Sequence, residues 1–286
     1  YRTKQMASLV GLGSIPAEKR NPLELETRGI GELILQLVDQ GVKTICVGIG
    51  GSATNDGGIG MAAGLGVAFY DDQGHLLRPV GASLGRVARI DTSAVPKALE
   101  DIELQVLTDV TNPLCGSQGA TYIFGGQKGL NPLLFPAIDQ AMQDFYQLAD
   151  ARILSMPGAG AGGGMAAGLV AFAGGQISSG IEKSLDLIDF DHKVHKADLV
   201  VVGEGRMDLQ SLSGKAPVGV AKRTPEKIPV IAICGSLAED LPAFPSHHID
   251  AAFSIVPSPC EVADALAHAE RNLISCARNI GNLLKT

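Results

Sequence analysis

The arrangement of short apolar runs along the chain is the feature that most constrains its fold. Several such runs, rich in β-branched residues, each end in glycine or polar residues, at 43–49, 102–107, 198–202 and 228–234. Amphipathic helical patterns lie between them, and the one at 28–40 is followed by a glycine that can end a helix. This alternation predicts an α/β protein with parallel sheets and helices on their faces.

Composition excludes several classes of protein. The 286 residues carry a formal net charge of −7 and 4% aromatic residues, without a dense lysine and arginine segment, so nucleic-acid binding is not expected. No apolar run approaches the roughly 20 residues that cross a bilayer. The five cysteines are scattered and form no CxxC pair, which argues against a disulfide framework or a zinc site. With no signal peptide, a cytoplasmic protein without a membrane partner is expected.

The segment 48–58 follows a predicted strand and is crowded with glycines and small polar residues. Open α/β sheets bind ligands at the carboxyl ends of their strands, where this segment begins. Hydroxyl, amide and carboxylate groups suited to a small polar ligand come from Ser52, Thr54, Asn55 and Asp56. The alternative is a strand-to-helix turn with polar caps, since a carboxylate such as that of Asp56 is favoured at a helix N-terminus.

A second glycine cluster, at 157–164, leads into a predicted helix at 165–173. It matches the GxGxxG spacing of dinucleotide-binding loops, but a proline and a helical pattern precede it instead of a strand. One interpretation is a loop that holds phosphate or carboxylate at a helix N-terminus, and the other is close packing on small residues. The candidate residues are Gly158, Gly160, Gly162 and Gly163.

Charged residues follow the apolar run 198–202. Opposite charges at the edge of a sheet are costly to bury unless they hold a ligand or a metal, and a surface ion-pair cluster is the alternative. The residues concerned are Glu204, Arg206, Asp208 and Lys215. A polar loop at 108–116, after the run 102–107, is a further candidate of the same kind.

The C-terminal pattern at 259–285 predicts one long helix. Ser258 and Glu261 would form a capping box around Pro259 at the first helical position. Apolar residues then recur at spacings of three and four, which predicts that this helix faces the core.

These loops, in this order and at these separations, resemble those of the type I glycerate kinase family. The resemblance rests on GIGGSATNDGG, DVTNPLCG, GATYIFGGQKG, PGAGAGGG, GEGRMD and SGKAP, and covers nearly all of residues 15–286. The opening strand with a DSFKG-like loop and the DGGEGT-like segment typical of the family are not found in this sequence. An N-terminal family segment is therefore expected to be missing from this chain.

The resemblance implies two α/β domains with the active site in the cleft between them. Residues 1–189 would form a restriction-enzyme-like middle domain, and residues 190–286 the C-terminal part of a flavodoxin-like domain whose N-terminal part is absent from the chain. The implied reaction transfers the γ-phosphate of ATP to a hydroxyl of D-glycerate in the presence of Mg²⁺. The expected product is 2-phosphoglycerate, although the sequence does not decide between the 2- and 3-phosphate.

The same resemblance gives each motif a role in catalysis or binding. Asp208 and Glu204 would supply carboxylates, with Asp208 also a Mg²⁺ ligand, while Arg206 and Lys215 would supply positive charge. The 52–56 side chains would bind glycerate, and the 158–163 glycines the nucleotide. Two alternatives stay open: an NAD-dependent hydroxy-acid dehydrogenase, based on GxGxxG, and a non-catalytic module that binds small acids. The sequence also leaves open whether the chain forms a homo-oligomer.

Overall fold

The computed structural model describes residues 2–212 and 216–285, and the chain divides into two compact units, Tyr1–Gly180 and Ile181–Thr286. Each unit has its own parallel sheet and helices, so the predicted α/β class is confirmed. The domain boundary after residue 189, and the domain types attached to it, stay predictions. In the part of the chain that is described, no helix has the length and apolar character needed to cross a membrane.

In the described part of the first unit there are six strands. In chain order they are β1 (Arg2–Gln5), β2 (Thr44–Gly48), β3 (Ala68–Tyr70), β4 (Arg89–Asp91), β5 (Glu103–Leu107) and β6 (Gln176–Ser178). A four-stranded parallel sheet has the order β1-β2-β5-β6, and β3 pairs antiparallel with β4. Ile45, Cys46 and Val47 in the middle of β2 are buried, as expected for a short apolar strand covered on both faces.

The helices of the first unit follow the predicted periodicity. They are α1 (Ala7–Val10), α2 (Arg28–Asp39), α3 (Ile59–Gly64), α4 (Ala120–Phe124), α5 (Phe135–Ala149) and α6 (Met165–Ala173). On α2 the residues Ile30, Ile34 and Leu37 are buried, at the spacing of an amphipathic helix. The helix ends just before Gly41, whose φ of 77° suits glycine, so the prediction for 28–40 is confirmed.

An aromatic cluster packs beneath the segment that follows β2. Phe145 and Tyr146 of α5 are fully buried, and the Phe145 ring lies 5.7 Å from the ring of Phe69 on β3. The Tyr146 hydroxyl donates a 2.5 Å hydrogen bond to the backbone oxygen of Gly57. The carboxyl end of the 48–58 segment therefore packs on buried aromatic side chains and is hydrogen-bonded to one of them.

Among the residues described in the second unit, three parallel strands have the order β7 (Val200–Met207), β8 (Val230–Leu237) and β9 (Ala251–Ser254). Its helices are α7 (Gly180–Leu187), α8 (Phe190–Val194), α9 (Leu209–Leu212), α10 (Ala216–Arg223), α11 (Val262–Ala267) and α12 (Ala269–Leu283), with α7 beginning at the boundary between the units. Both long strands extend beyond their apolar runs. Glu204 pairs with Cys234 and Arg206 with Ser236, so the polar residues continue the ladder instead of forming the predicted loop.

The C-terminal segment differs from its prediction. Glu261 is the N-cap residue of α11 without a side-chain capping bond, and a break at His268 separates α11 from α12. The predicted capping box and single long helix are wrong. The apolar face is not buried either, because Leu266, Leu273 and Leu284 are 73%, 46% and 61% exposed. Periodicity decides which side chains share a face, but only a packing partner can cover that face.

Candidate functional site

The loop after β2 lies at the carboxyl edge of the four-stranded sheet. Gly48 pairs with Leu107 of β5, and the Ile49 amide then donates to the Leu107 carbonyl oxygen at 3.4 Å. Gly50 and Gly51 are exposed, whereas the following side chains are buried. The two glycines therefore expose backbone to solvent, while the polar side chains that follow them point into the protein.

The four predicted substrate-binding residues lie together in this loop, and all of them are buried: Ser52, Thr54, Asn55 and Asp56. The Asn55 amide donates a 3.0 Å hydrogen bond to Thr121 Oγ1 at the start of α4. Thr54 Oγ1 and Asn55 Oδ1 are buried and have no hydrogen-bond partner among the described residues. Buried polar atoms are rarely left unpaired, so these two atoms are suited to a ligand group or a water molecule.

The Asp56 carboxylate has protein partners on both oxygen atoms. Thr27 Oγ1 donates to Asp56 Oδ2 at 2.6 Å, and the Gly58 and Gly60 amides donate at 3.1 and 3.4 Å. Gly58 is the N-cap residue of α3 and Gly60 lies in its first turn, so the carboxylate caps the start of that helix. Burial raises the pKa of Asp56, and the hydrogen bonds oppose that effect. The geometry favours the capping alternative, while substrate contact by Asp56 stays a prediction.

Lys128 is a buried cation that the sequence analysis did not single out. It ends a short 3₁₀ helix, Gly126–Lys128, and only 3% of the residue is exposed. Its ammonium group donates to Ser52 Oγ at 2.9 Å and to the Thr54 backbone oxygen at 2.7 Å. Burial lowers the pKa of Lys128 to about 8, although the charge of Asp56 acts in the opposite direction. The available signal was a lysine in the glycine-rich segment GGQKG, but the sequence does not indicate that this lysine is buried.

The glycine segment before α6 is packed against protein backbone. A Cβ atom on Gly160 would lie 2.2 Å from the Pro113 oxygen, and one on Gly163 would lie 2.1 Å from the Thr54 oxygen. Among the predicted nucleotide-binding residues, Gly158, Gly160 and Gly163 are buried and Gly162 is partly buried. A 3₁₀ helix, not a strand, precedes them. The structure therefore gives these glycines a packing role, and a nucleotide-binding role stays a prediction.

The strand beside β2 brings a carboxylate to the same sheet edge. Asp109 follows β5 by two residues and is exposed, and the Ser179 hydroxyl, just after β6, donates to Asp109 Oδ1 at 3.1 Å. Because β2 and β5 are adjacent and parallel, Gly50 and Asp109 leave the sheet side by side. The polar loop at 108–116 thus contributes an acidic group next to the 50–56 loop.

The charged residues predicted at 204–208 lie partly on strand β7 and partly at the start of helix α9. Glu204 and Arg206 are two residues apart on β7, so they project from one face of the strand. Glu204 Oε1 is buried without a hydrogen-bond partner among the described residues. Asp208 Oδ1 accepts from the Ser211 amide at 2.9 Å and caps α9. Lys215 lies outside the described residues.

A groove of about 1040 Å³ runs along the carboxyl end of β7 and β8. Its walls include Glu204 together with Gly203, Gly235 and Ser236. In the described part of the chain, no group of three or more histidine, cysteine, aspartate or glutamate side chains could hold a metal ion alone. Kinase Mg²⁺ takes one or two carboxylates and completes its shell with phosphate oxygens and water. The unpaired Glu204 oxygen fits that role, and Asp208 as a Mg²⁺ ligand stays a prediction.

Comparison with known proteins adds an independent observation to this geometry. Residues 4–285 match the model of the glycerate kinase family. A glycerate kinase from Neisseria meningitidis serogroup B is 57% identical over 280 residues, which are 98% of this chain and 76% of that protein. A glycerate 2-kinase from Escherichia coli K12 is 41% identical over 285 residues, which are 98% of this chain and 75% of that protein.

The fold is also similar to that of a solved structure. Glycerate kinase 2 from Salmonella typhimurium LT2 superposes with a TM-score of 0.79 at 40% identity, covering 99% of this chain and 75% of that chain. Parallel α/β units with polar strand-end loops are typical of enzymes that bind small anionic substrates. The chain belongs to the glycerate kinase family, a family of ATP-dependent kinases, and the resemblance seen in the sequence is confirmed.

Proposed function

We propose that the protein transfers the γ-phosphate of ATP to a hydroxyl of D-glycerate, with Mg²⁺, to give 2-phosphoglycerate. The observation that carries this proposal is the polar 50–56 loop at the carboxyl end of β2, in a chain that belongs to the glycerate kinase family. A hydroxy acid needs hydroxyl and amide partners for its hydroxyl groups and a positive charge for its carboxylate. Ser52, Thr54 and Asn55, with the Lys128 ammonium beside them, supply this combination.

Phosphoryl transfer places modest chemical demands on the protein. The reacting oxygen atoms must be held in line, and the charge on the γ-phosphate must be neutralised. A carboxylate must also accept the proton of the glycerate hydroxyl. In the second unit Arg206 offers positive charge, and Glu204 and Asp208 offer carboxylates. When bound, Mg²⁺ would neutralise phosphate charge, with Glu204 as its candidate protein ligand.

The nucleotide and the location of the protein follow from the same proposal. ATP and Mg²⁺ are the co-reactants that the family implies. Because both are abundant in the cytoplasm, the proposal locates the enzyme there. The dehydrogenase alternative depended on the GxGxxG spacing, and the packing of those glycines against Pro113 and Thr54 gives it no support.

The test is an assay of purified protein with D-glycerate and MgATP that couples ADP release to a recorded absorbance change. We expect ADP release that requires both glycerate and Mg²⁺, and phosphorus NMR should assign the product as the 2-phosphate. Nicotinamide cofactor added with glycerate should give no reduced cofactor. Glycerate binding without ADP release would contradict the proposal and favour the non-catalytic binding module.

A further inference from the structure

Lys128 contacts the 50–56 loop directly, although it lies 76 residues after Ser52 in the chain. We propose that Lys128 is a positioning residue, whose ammonium group holds residues 52–54 in the conformation that receives the acidic substrate. The inference deepens the proposed function and rests on it. Lys128 was not among the site residues expected from the sequence, and it would affect substrate binding indirectly, by holding the loop in place.

Lys128 contacts the middle of the loop at two residues. Its two acceptors are the Ser52 hydroxyl at 2.9 Å and the Thr54 carbonyl oxygen at 2.7 Å, one residue to either side of Ala53. A lysine ammonium carries three N–H donors and no acceptor. Two donors are therefore used to fix this tripeptide. The third has no hydrogen-bond partner among the described residues and is available to a substrate oxygen or a water molecule.

The surroundings leave little room for the ammonium group to move. A Cβ atom on Gly163 would lie 3.0 Å from Lys128 Nζ, and a Cβ atom on Gly129 would lie 2.9 Å from the Arg20 carbonyl oxygen. Because Gly129 has no side chain, the segment that carries Lys128 can pack closely against Arg20. Because Gly163 has none, the glycine segment before α6 can approach both the loop and the ammonium group. Three separate parts of the chain meet at this amine, so its geometry is specified by the fold.

Burying a charge at this position disfavours folding, so the presence of the amine indicates a role other than stability. Burying an ammonium group removes its hydration, and the negative charge of Asp56 compensates only in part, because burial is the larger effect on the pKa of Lys128. An apolar side chain of similar length could fill the same space without that cost. Retaining the amine is understandable if the loop needs its two hydrogen bonds and its charge to bind an anion.

Two unpaired atoms on the same loop support a ligand role for this region. Thr54 Oγ1 and Asn55 Oδ1 are buried and have no partner among the described residues. Lys128 fixes the backbone of Thr54 while the hydroxyl of that residue stays unpaired. The loop is thus held by its backbone and by Ser52, which leaves neighbouring polar groups for a ligand.

The test compares Lys128→Met with a matched control, Lys97→Met, which changes an exposed lysine in the same unit. In Lys128→Met, we expect the KM for glycerate to rise by about tenfold or more, with the KM for ATP within about twofold of its original value. Ser52→Ala removes one of the two acceptors and should change the KM for glycerate in the same direction by less. The double variant should resemble Lys128→Met, because the two changes act on one contact.

A second readout addresses the loop itself. Amide hydrogen exchange over residues 50–56 should be about tenfold faster in Lys128→Met, while exchange in β5 stays unchanged. Unchanged glycerate KM, or unchanged exchange in the loop, would overturn the proposal. Absence of ADP release in the unaltered protein would instead refute the proposed function, and the exchange comparison would still decide whether Lys128 holds the loop. If Lys128→Met does not fold, Ser52→Ala provides both readouts, and no effect on either would overturn the proposal.

Discussion

The Thr27 hydroxyl donates a 2.6 Å hydrogen bond to Asp56 Oδ2 and accepts one of 2.8 Å from the Met61 amide. Thr27 immediately precedes α2, and Met61 lies in the first turn of α3. One buried hydroxyl therefore joins the starts of two helices through the carboxylate that caps the second. The 48–58 loop ends in this network, so its conformation depends on contacts made well outside the loop.

Asp56→Ala should destabilise the protein by about 2–4 kcal/mol, because it removes a helix cap and leaves the buried Thr27 hydroxyl without its acceptor. Chemical denaturation measures this change. Asp72→Ala, in an exposed turn, is the matched control and should change the free energy of unfolding by less than about 0.5 kcal/mol. An unaltered free energy of unfolding together with a large increase in the KM for glycerate would instead support direct substrate contact by Asp56.

The titration of Lys128 gives a pH-dependent prediction. Its pKa is about 8 in the folded protein against an ordinary value of 10.5, so between these pH values the unfolded chain binds a proton that the folded chain has released. Stability then increases with pH. The free energy of unfolding of the unaltered protein, minus that of Lys128→Met, should increase by up to about 3 kcal/mol between pH 7 and pH 10.5.

Subtracting the variant removes the contributions of groups whose titration does not depend on Lys128. Denaturant titrations at several pH values provide the measurement. The corresponding difference for Lys97→Met should be independent of pH. A constant difference for Lys128→Met would show that burial does not lower the pKa of this amine.

Gly163→Ala tests the close approach between the glycine segment before α6 and the 50–56 loop. The new Cβ atom would lie 2.1 Å from the Thr54 oxygen at a φ of 73°. Gly174→Ala is the matched control, because its φ is 66° but a Cβ there meets no atom within 4 Å. We expect a loss of about 1–2 kcal/mol for the control, from its left-handed backbone alone, and a clearly larger loss for Gly163→Ala. Equal melting temperatures for the two variants would contradict the packing assigned to Gly163.

Asp208→Asn separates catalysis from helix capping. Asparagine caps helices about as well as aspartate, so the hydrogen bond with the Ser211 amide can persist while the negative charge is lost. If the carboxylate takes part in proton transfer or metal binding, kcat should fall by roughly 10²-fold with a nearly unchanged melting temperature. Steady-state kinetics with varied Mg²⁺ measure this effect. Normal kcat with the usual Mg²⁺ dependence would leave Asp208 as a cap only.

Sequence patterns predicted those parts of the fold that depend on local periodicity. The α2 helix and the β2 strand match their predictions, because burial of one helix face or of a short strand leaves a repeat in the sequence. The extension of β7 through Arg206 could not be predicted, since pairing with β8 imposes it on polar and glycine residues. Likewise, α12 has the periodicity of a core helix, although none of its apolar side chains is fully buried.

The candidate site shows the same limit. Clustering of small polar residues identified the 50–56 loop, and the structure places those residues together. Sequence could not show that Asp56 contacts Thr27, or that Lys128 lies against Ser52, since both contacts join residues far apart in the chain. Long-range contacts of this kind are set by how the elements pack, and they leave no pattern in either segment alone.

Glycine makes up 36 of the 286 residues, and close backbone contact does not require all of these glycines. Gly31 of α2 fits against the backbone of Met61, where a Cβ would lie 2.1 Å from an oxygen atom. By contrast, a Cβ on Gly29 or Gly281 would meet no atom within 4 Å, although both lie within helices. At these two positions glycine increases the conformational entropy of the unfolded chain. Folding loses that entropy, and no close packing at the glycine compensates for the loss. Alanine at each position should raise stability by about 0.4–1 kcal/mol through the entropy of the unfolded state, without altering the 50–56 loop.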